Sequence, residues 1–221
     1  MNPRLTVFRA LLDRYGPQHW WPGESPFEVM VGAVLTQNTA WENVERAIAR
    51  LKAAGALDPR VIVESEPQRL AEWIRPAGYF NVKARRLQAF CAWYLERGGL
   101  EALRRQPTEP LRADLLAVHG IGPETADDIL LYALERPVFV IDAYTRRLFA
   151  RLDLVGEGWG YERLRAWFEN GLPREVPLFN EYHALIVRHA KEHCRKRPRC
   201  MGCPLASRCP ADQSVSRASS E

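Results

Sequence analysis

The stretch that decides the fold is His119-Gly120-Ile121-Gly122-Pro123-Glu124-Thr125-Ala126, close to the middle of the 221-residue chain. We expect one helix to end before Gly120 and the next to begin at Pro123, because proline suits the first turn of a helix. Between them two glycines make a tight turn and leave its backbone accessible, while Ile121 can anchor the turn in the core. The N–H groups of the turn and the N-terminus of the following helix together form a candidate anion site.

Two interpretations of this turn remain open on its residues alone. A helix-hairpin-helix holds a nucleic-acid phosphate without reading the base sequence. Gly-x-Gly between two helices is also common as a plain turn.

The rest of the chain has a helical pattern. Apolar residues recur at helical spacing in stretches such as Leu5–Leu12, Phe27–Leu35 and Leu87–Leu95, with Pro and Gly between them. The one β-like run, Val138–Ile141, is short and isolated, so we expect a buried extended connector there. Hydrophobic residues make up 47% of the chain, which is enough for a globular core. The pattern predicts an all-α protein.

Asp142 directly follows the apolar run and precedes a predicted helix. An aspartate at this position is an ordinary helix N-cap, worth on the order of 1 kcal/mol. It is also a carboxylate that helix N–H groups would keep ionised at neutral pH. In a cleft it could stabilise positive charge on a sugar ring or activate water, although the residues alone favour simple capping.

Four cysteines lie near the C-terminal end, at Cys194, Cys200, Cys203 and Cys209. Four thiolates this close in sequence can surround one small metal centre. Structural zinc more usually takes two Cys-x2-Cys pairs, whereas single ligands strung along one loop suit a [4Fe-4S] cluster. The spacing favours the cluster and leaves zinc and disulfides open. Cys91 lies in a mostly apolar stretch, and we expect it to pack in the core.

Positive charge is concentrated at the same end of the chain. The formal net charge is only +4, yet seven basic residues and one acidic residue lie between positions 188 and 209. We expect Arg195, Lys196, Arg197 and Arg199 to face the phosphates of a nucleic acid. The alternative is a solvated loop that its charge keeps soluble.

We do not expect a segment for export or membrane insertion. The first eight residues have no long apolar stretch, and no apolar run approaches the roughly 20 residues needed to span a bilayer. Five cysteines are an odd number and argue for reduced thiols. These features predict a cytoplasmic protein that binds no membrane.

The hairpin, the downstream aspartate and the C-terminal cysteine loop, in this order, resemble the endonuclease III branch of the helix-hairpin-helix DNA glycosylase superfamily. The resemblance covers nearly the whole chain. Phe27–Thr39 resembles the early helix and glutamine-bearing loop of that family, and Gly78–Ala84 resembles its second DNA-inserting loop.

The resemblance implies a role for each matching residue. Asp142 would be the catalytic aspartate, Gln37 would fill the gap left by a flipped nucleotide, and Tyr79 would wedge beside it. DNA would also be bound by three hairpin residues, Gly120, Gly122 and Thr125. The four C-terminal cysteines would hold a [4Fe-4S] cluster that shapes the basic DNA-contacting loop and takes no part in base excision.

Two features depart from the family pattern. Bifunctional members carry a lysine in the hairpin helix that attacks the sugar, and the matching residue here is Glu124, which cannot form a Schiff base. The four lysines of this chain all lie outside the hairpin, at Lys52, Lys83, Lys191 and Lys196. The first cysteine gap has five residues, whereas the family usually has six.

Tryptophans near the N-terminus indicate a substrate class. Trp20-Trp21-Pro22 and Trp41 resemble the aromatic pocket of 3-methyladenine glycosylases of the endonuclease III type, and Glu124 would join Trp21 and Trp41 in this base pocket. A cationic alkylated base would stack well between electron-rich rings and is already a good leaving group. The alternative is that these tryptophans only pack the core or a groove.

The resemblance predicts two helical lobes, with DNA in a cleft and Asp142 between them. Residues 25–136 would form the lobe with the hairpin, and residues 1–24 and 137–212 the lobe with the cluster. The small, polar composition of the last stretch predicts a disordered tail at residues 213–221. The expected function is that of a monomeric, monofunctional glycosylase that hydrolyses the N-glycosidic bond of a flipped damaged base in double-stranded DNA. The alternatives are a bifunctional endonuclease III-type enzyme acting on oxidised pyrimidines, and a non-catalytic protein that binds damaged DNA.

Overall fold

The computed structural model describes residues 2–20 and 23–211, so Trp21 and the predicted tail at 213–221 lie outside the described part. Within these ranges the chain is helical and has no β-strand, which confirms the all-α prediction. None of the helices in this part is both long and apolar enough to cross a membrane. The α-helices are α1 (Pro3–Tyr15), α2 (Pro26–Leu35), α3 (Trp41–Ala53), α4 (Pro59–Glu64), α5 (Pro67–Trp73), α6 (Phe80–Glu96), α7 (Gly99–Arg105), α8 (Thr108–Ala117), α9 (Pro123–Asp128), α10 (Ala143–Arg151), α11 (Tyr161–Gly171) and α12 (Val176–Glu192).

The chain divides into two compact units. The first, here called the hairpin unit, is Trp21–Arg136 and contains α2 to α9. The second, here called the cysteine unit, is Met1–Trp20 together with Pro137–Glu221 and contains α1 and α10 to α12.

Helix α2 is the central helix of the hairpin unit. Ser25 caps its N-terminus, where the Ser25 hydroxyl accepts a hydrogen bond from the Glu28 N–H at 3.2 Å. Every residue from Glu28 to Leu35 is buried, and α2 packs against α3, α6 and α9. A helix that is apolar on all sides must be enclosed by others. The loop that carries Gln37 therefore leaves directly from the core.

A buried ion pair joins the two helices of the hairpin. The guanidinium of Arg112, on α8, donates to both carboxylate oxygens of Asp127, on α9, at 2.6 and 3.1 Å. Arg112 is 6% exposed and Asp127 is fully buried. The paired planar groups fix α9 against α8 in one orientation.

The predicted connector Val138–Ile141 is buried, as expected, and belongs to neither a helix nor a strand. It does not pair as a strand, because α11 supplies its hydrogen-bond acceptors instead. The Phe139 N–H donates to Glu169 Oε1 at 3.0 Å, and the Ile141 N–H donates to Tyr161 Oη at 3.3 Å. The Phe139 ring stacks on Phe168 with centroids 4.0 Å apart. These contacts fix the backbone that leads into Asp142.

Candidate active site and nucleic-acid interface

Asp142 caps the N-terminus of α10 and is 9% exposed. Its Oδ1 accepts a hydrogen bond from the Thr145 N–H at 2.7 Å, and its Oδ2 lies 3.5 Å from Nε2 of His183, on α12. Burial alone would raise the pKa of Asp142, but the His183 imidazole and the Thr145 N–H outweigh it and lower this pKa below the ordinary value. The side chain is therefore a carboxylate at neutral pH.

The hairpin turn uses its two glycines differently. Gly120 has φ +86°, and a Cβ there would lie 2.3 Å from Cγ of Arg86, so only glycine fits. Gly122 is extended and has open space where a Cβ would point, so its backbone is accessible. Among the described residues, neither glycine donates its N–H to a backbone carbonyl. Ile121 is 6% exposed and anchors the turn in the core, as the sequence predicts.

Gln37 is tied to the hairpin by its side-chain amide. Its Nε2 donates to the Gly120 carbonyl and to Thr125 Oγ1, each at 3.0 Å. Its Oε1 accepts a hydrogen bond from Arg86, on α6. Three residues predicted to bind DNA thus lie in one network, which Arg86 completes although its sequence position did not predict this role.

Tyr79 stands at the N-terminus of α6 and is 71% exposed. It has φ +47° and follows Gly78 at φ +70°, so two successive residues are in the left-handed region. The side chain of Lys83 holds the turn that precedes them through hydrogen bonds to backbone carbonyls. The Lys83 ammonium donates to the Leu35 carbonyl at 2.8 Å and to the Ala77 carbonyl at 2.7 Å. This lysine links the end of α2 to the turn that presents Tyr79.

Lys83 is 1% exposed. Burial, assisted by the nearby charge of Arg86, lowers the pKa of Lys83 to about 8. The sequence predicted no role for Lys83. Its hydrogen bonds to two carbonyls in the structure show that it links α2 to the turn before α6.

The structure places two of the three predicted base-pocket residues. Trp41 begins α3 and is half-buried; its ring packs over Gly32, where a Cβ would lie 3.1 Å from Trp41 Cη2. Its indole N–H donates to Glu45 Oε1 at 2.9 Å. Glu124 is exposed in the first turn of α9. Trp41 therefore has a packing role on α2, and Trp21 lies outside the described residues.

The four C-terminal cysteines line one cavity in the cysteine unit. Three leucines line it with them: Leu148 on α10, Leu152 just after this helix and Leu205 in the loop. Across residues 2–20 and 23–211, no group of three or more His, Cys, Asp or Glu side chains could hold a single metal ion. Cys91 lies in the other unit and is fully buried, which confirms its predicted place in the core.

Two side chains outside the loop approach the cysteine sulfurs. Arg151 Nη1 donates to Cys194 Sγ at 3.3 Å. His189 Nε2 lies 3.8 Å from Cys203 Sγ, while the other ring nitrogen, Nδ1, lies 2.9 Å from the Tyr15 hydroxyl. His189 is buried, and burial together with the charge of His193 lowers its pKa to about 4. Its two ring nitrogens thus face a tyrosine hydroxyl and a cysteine sulfur, and the tautomer decides which of the two receives the ring N–H.

The basic loop is held through its backbone. Arg147, on α10, donates to the Cys194 carbonyl at 2.8 Å, and Arg151 donates to the carbonyls of Arg195 and Lys196 at 2.6 and 2.9 Å. All four side chains predicted to bind phosphate are exposed, namely Arg195, Lys196, Arg197 and Arg199. These three carbonyls thus point to α10, while the side chain of Arg195 also donates to the Lys191 carbonyl.

A scan against protein families matches residues 31–174 to the HhH-GPD superfamily base excision DNA repair proteins. A candidate DNA repair glycosylase of Methanocaldococcus jannaschii is 47% identical over 206 residues, which cover 92% of this chain and 94% of that protein. The crystal structure of Helicobacter pylori 3-methyladenine DNA glycosylase bound to 1,N6-ethenoadenine aligns with a TM-score of 0.74 and 32% identity, covering 86% of this chain and 97% of that one.

A non-covalent endonuclease III–DNA complex aligns with a TM-score of 0.84 over 98% of this chain and 100% of that one, at 21% identity, and so shares the fold. These findings confirm the resemblance to endonuclease III-like helix-hairpin-helix DNA glycosylases. The chain belongs to the HhH-GPD superfamily of base excision DNA repair proteins.

Proposed function

We propose that this member of the HhH-GPD superfamily is a monofunctional DNA glycosylase that hydrolyses the N-glycosidic bond of a cationic alkylated purine. The observation that carries the proposal is the state of Asp142, a buried carboxylate whose pKa is lowered. Such a group can stabilise the positive charge that develops on the sugar when a base departs. It can also orient the water that then attacks the sugar.

The ionised state of Asp142 also favours a base that is already positively charged as the substrate. An ionised Asp142 has no proton to give to a leaving base. A normal purine would need protonation before it leaves, whereas an alkylated purine already carries a positive charge. The 32% identical neighbour, which is a 3-methyladenine glycosylase, supports this substrate class.

The lysines of the hairpin unit support hydrolysis without strand cleavage. Glu124 stands exposed at the position of the family's attacking lysine and offers no amine. Lys83 is buried and donates to two carbonyls. Lys52 pairs with Glu24 at 2.8 Å and with Glu28 at 2.9 Å. Both amines are engaged in structural contacts within the unit.

We infer that the hairpin and its neighbours bind DNA as the family resemblance implies. Gly120, Gly122 and Thr125 would hold a phosphate, while Gln37 and Tyr79 would occupy the space left by the flipped nucleotide. Their support is the shared network of Gln37 with the hairpin and the exposure of Tyr79. The exposed basic loop would add phosphate contacts that do not depend on sequence.

We further propose that Cys194, Cys200, Cys203 and Cys209 hold a [4Fe-4S] cluster. Their support is the single cavity that all four line, together with its apolar walls. A single zinc ion with bonds of about 2.3 Å would draw its four sulfurs to within roughly 4 Å of each other, whereas a cube keeps them further apart. The cluster would fix the loop that presents the basic side chains.

Single-turnover excision on duplexes that each carry one lesion tests the function. The panel contains 3-methyladenine, 1,N6-ethenoadenine, thymine glycol and uracil. We expect release of the cationic base 3-methyladenine. The abasic site should remain uncut, and borohydride should trap little covalent enzyme–DNA adduct. Asp142→Asn should lose at least about 100-fold in rate and keep its DNA affinity, whereas Asp153→Asn, an exposed carboxylate of the same unit, should match the wild type.

Three results would overturn parts of the proposal. An Asp142→Asn rate equal to that of the wild type would place the chemistry on another residue. Cleavage of thymine glycol duplexes with strong borohydride trapping would establish the bifunctional alternative. Binding to damaged duplexes without release of any base would establish a non-catalytic protein.

A further inference from the structure

A second ionisable side chain lies beside Asp142. His183, on α12, is 5% exposed, and its Nε2 lies 3.5 Å from Asp142 Oδ2. The ring of Trp20 lies against His183 with centroids 5.8 Å apart and an interplanar angle of 36°. Helices α10 and α12 pack against each other, so both members of the pair stand on rigid elements.

The two oxygens of Asp142 are held differently. Oδ1 accepts from the Thr145 N–H at 2.7 Å, which fixes it to the first turn of α10. This bond alone leaves the carboxylate free to turn about its Cβ–Cγ bond, so Oδ2 needs a second support. His183 Nε2 approaches Oδ2 to 3.5 Å, an ion-pair distance longer than an ordinary hydrogen bond, so a small movement of either side chain would bring the imidazole N–H onto Oδ2.

We propose that His183 is a positioning residue for Asp142, in which its imidazole N–H holds Oδ2 and fixes the plane of the carboxylate. This inference rests on the proposed function, because the fixed plane serves to keep one carboxylate face toward the sugar. His183 touches neither base nor sugar in this role. It acts through Asp142, and the reaction depends on the resulting orientation.

A positioning role and a packing role predict different excision rates when His183 is replaced. If His183 only fills space, a residue of similar volume should preserve the excision rate. If it orients Asp142, loss of the N–H should lower the rate of the chemical step and leave DNA affinity unchanged. It should also remove an interaction that favours the ionised carboxylate, so the pKa of Asp142 should rise.

The test compares His183→Phe and His183→Gln with the matched control His19→Asn, a substitution of an exposed histidine in the same unit. The single-turnover excision rate of His183→Phe should fall by about 10- to 100-fold, with DNA affinity within about twofold of the wild type. His183→Gln, which retains an N–H donor, should recover part of the rate. The acid limb of the pH–rate profile should move to higher pH in His183→Phe.

Carbon-13 titration of the Asp142 carboxyl group tests the contact without relying on catalysis. A higher Asp142 pKa in His183→Phe than in the wild type would support the proposal even if none of the lesions were excised, and this separates its failure from that of the proposed function. An unchanged titration together with an unchanged rate would overturn the proposal. If His183→Phe does not fold, His183→Met replaces it: a lower rate and a higher Asp142 pKa in His183→Met than in His183→Gln, which has a similar volume and an N–H, support the proposal, whereas equal rates and titrations in the two variants refute it.

Discussion

Removing one partner of the buried ion pair between Arg112 and Asp127 should strongly destabilise the hairpin unit. Arg112→Met would remove the guanidinium from a carboxylate that is fully buried. Loss of one partner from a buried, doubly hydrogen-bonded pair costs about 3–5 kcal/mol. For a chain of this size each kcal/mol shifts the melting temperature by about 2–4 °C, so we expect a decrease of roughly 6–20 °C.

Thermal and urea denaturation would measure this loss against a matched control. Arg97→Met breaks the ion pair between Arg97 and Asp114, whose side chains are 45% and 24% exposed, and should cost much less stability than Arg112→Met because solvent screens the pair. The double variant Arg112→Met/Asp127→Leu removes both charges and should recover much of the lost stability. A single-variant cost no larger than that of Arg97→Met, or a double variant as unstable as the sum of both singles, would refute the reasoning.

Four further predictions concern the hairpin, the buried lysine and the cysteine loop. Gly120→Ala should destabilise the protein by at least about 1 kcal/mol, because its φ is positive and its Cβ has no room; Gly122→Ala, with open space, should melt like the wild type, and equal melting of the two variants would contradict this. Since the folded-state pKa of Lys83 is about 8 against an ordinary 10.5, the unfolded chain binds the extra proton between these values, and stability should rise with pH across this window. Lys83→Met should lack this rise, so parallel stability–pH curves for the two proteins would exclude it. Cys203→Ser should lose iron and visible absorbance, and stoichiometric zinc in the wild type would rule out the cluster. Arg197→Ala should weaken binding to all duplexes equally and lower the slope of log affinity against log salt by about one, while an unchanged slope would leave the basic loop as a solvated surface.

The elements that the sequence predicted correctly are those with a local physical signature. The Gly-Ile-Gly-Pro turn between helices depends on backbone preferences that single residues encode. The short apolar run at Val138–Ile141 had no partner strand in the sequence, which indicated a buried connector. The N-cap role of Asp142 follows from its place at the start of a helix, and the structure shows the expected bond to Thr145.

The contacts that the sequence could not reveal join residues that lie far apart in the chain. Nothing in the spacing pairs His183 with Asp142, because they stand on different helices that meet only in the folded protein. Arg86 and Lys83 lie one helical turn apart on α6, but their partners are a glutamine and backbone carbonyls elsewhere. A basic residue in an amphipathic helix is usually solvated, and only the tertiary structure shows that Lys83 is buried.

Helix α10 connects two sites: the candidate catalytic carboxylate caps its N-terminus, and its C-terminal turn binds the backbone of the cysteine loop. Its nine residues span about 13 Å, and its last turn carries Arg151, which holds the loop backbone. A tilt of about 5° around the loop end would move the other end by roughly 1 Å, a displacement that can cost about 100-fold in rate. A metal centre in that loop would therefore influence the rate of base excision by fixing the orientation of α10. The metal centre itself would need no contact with the sugar and no redox step.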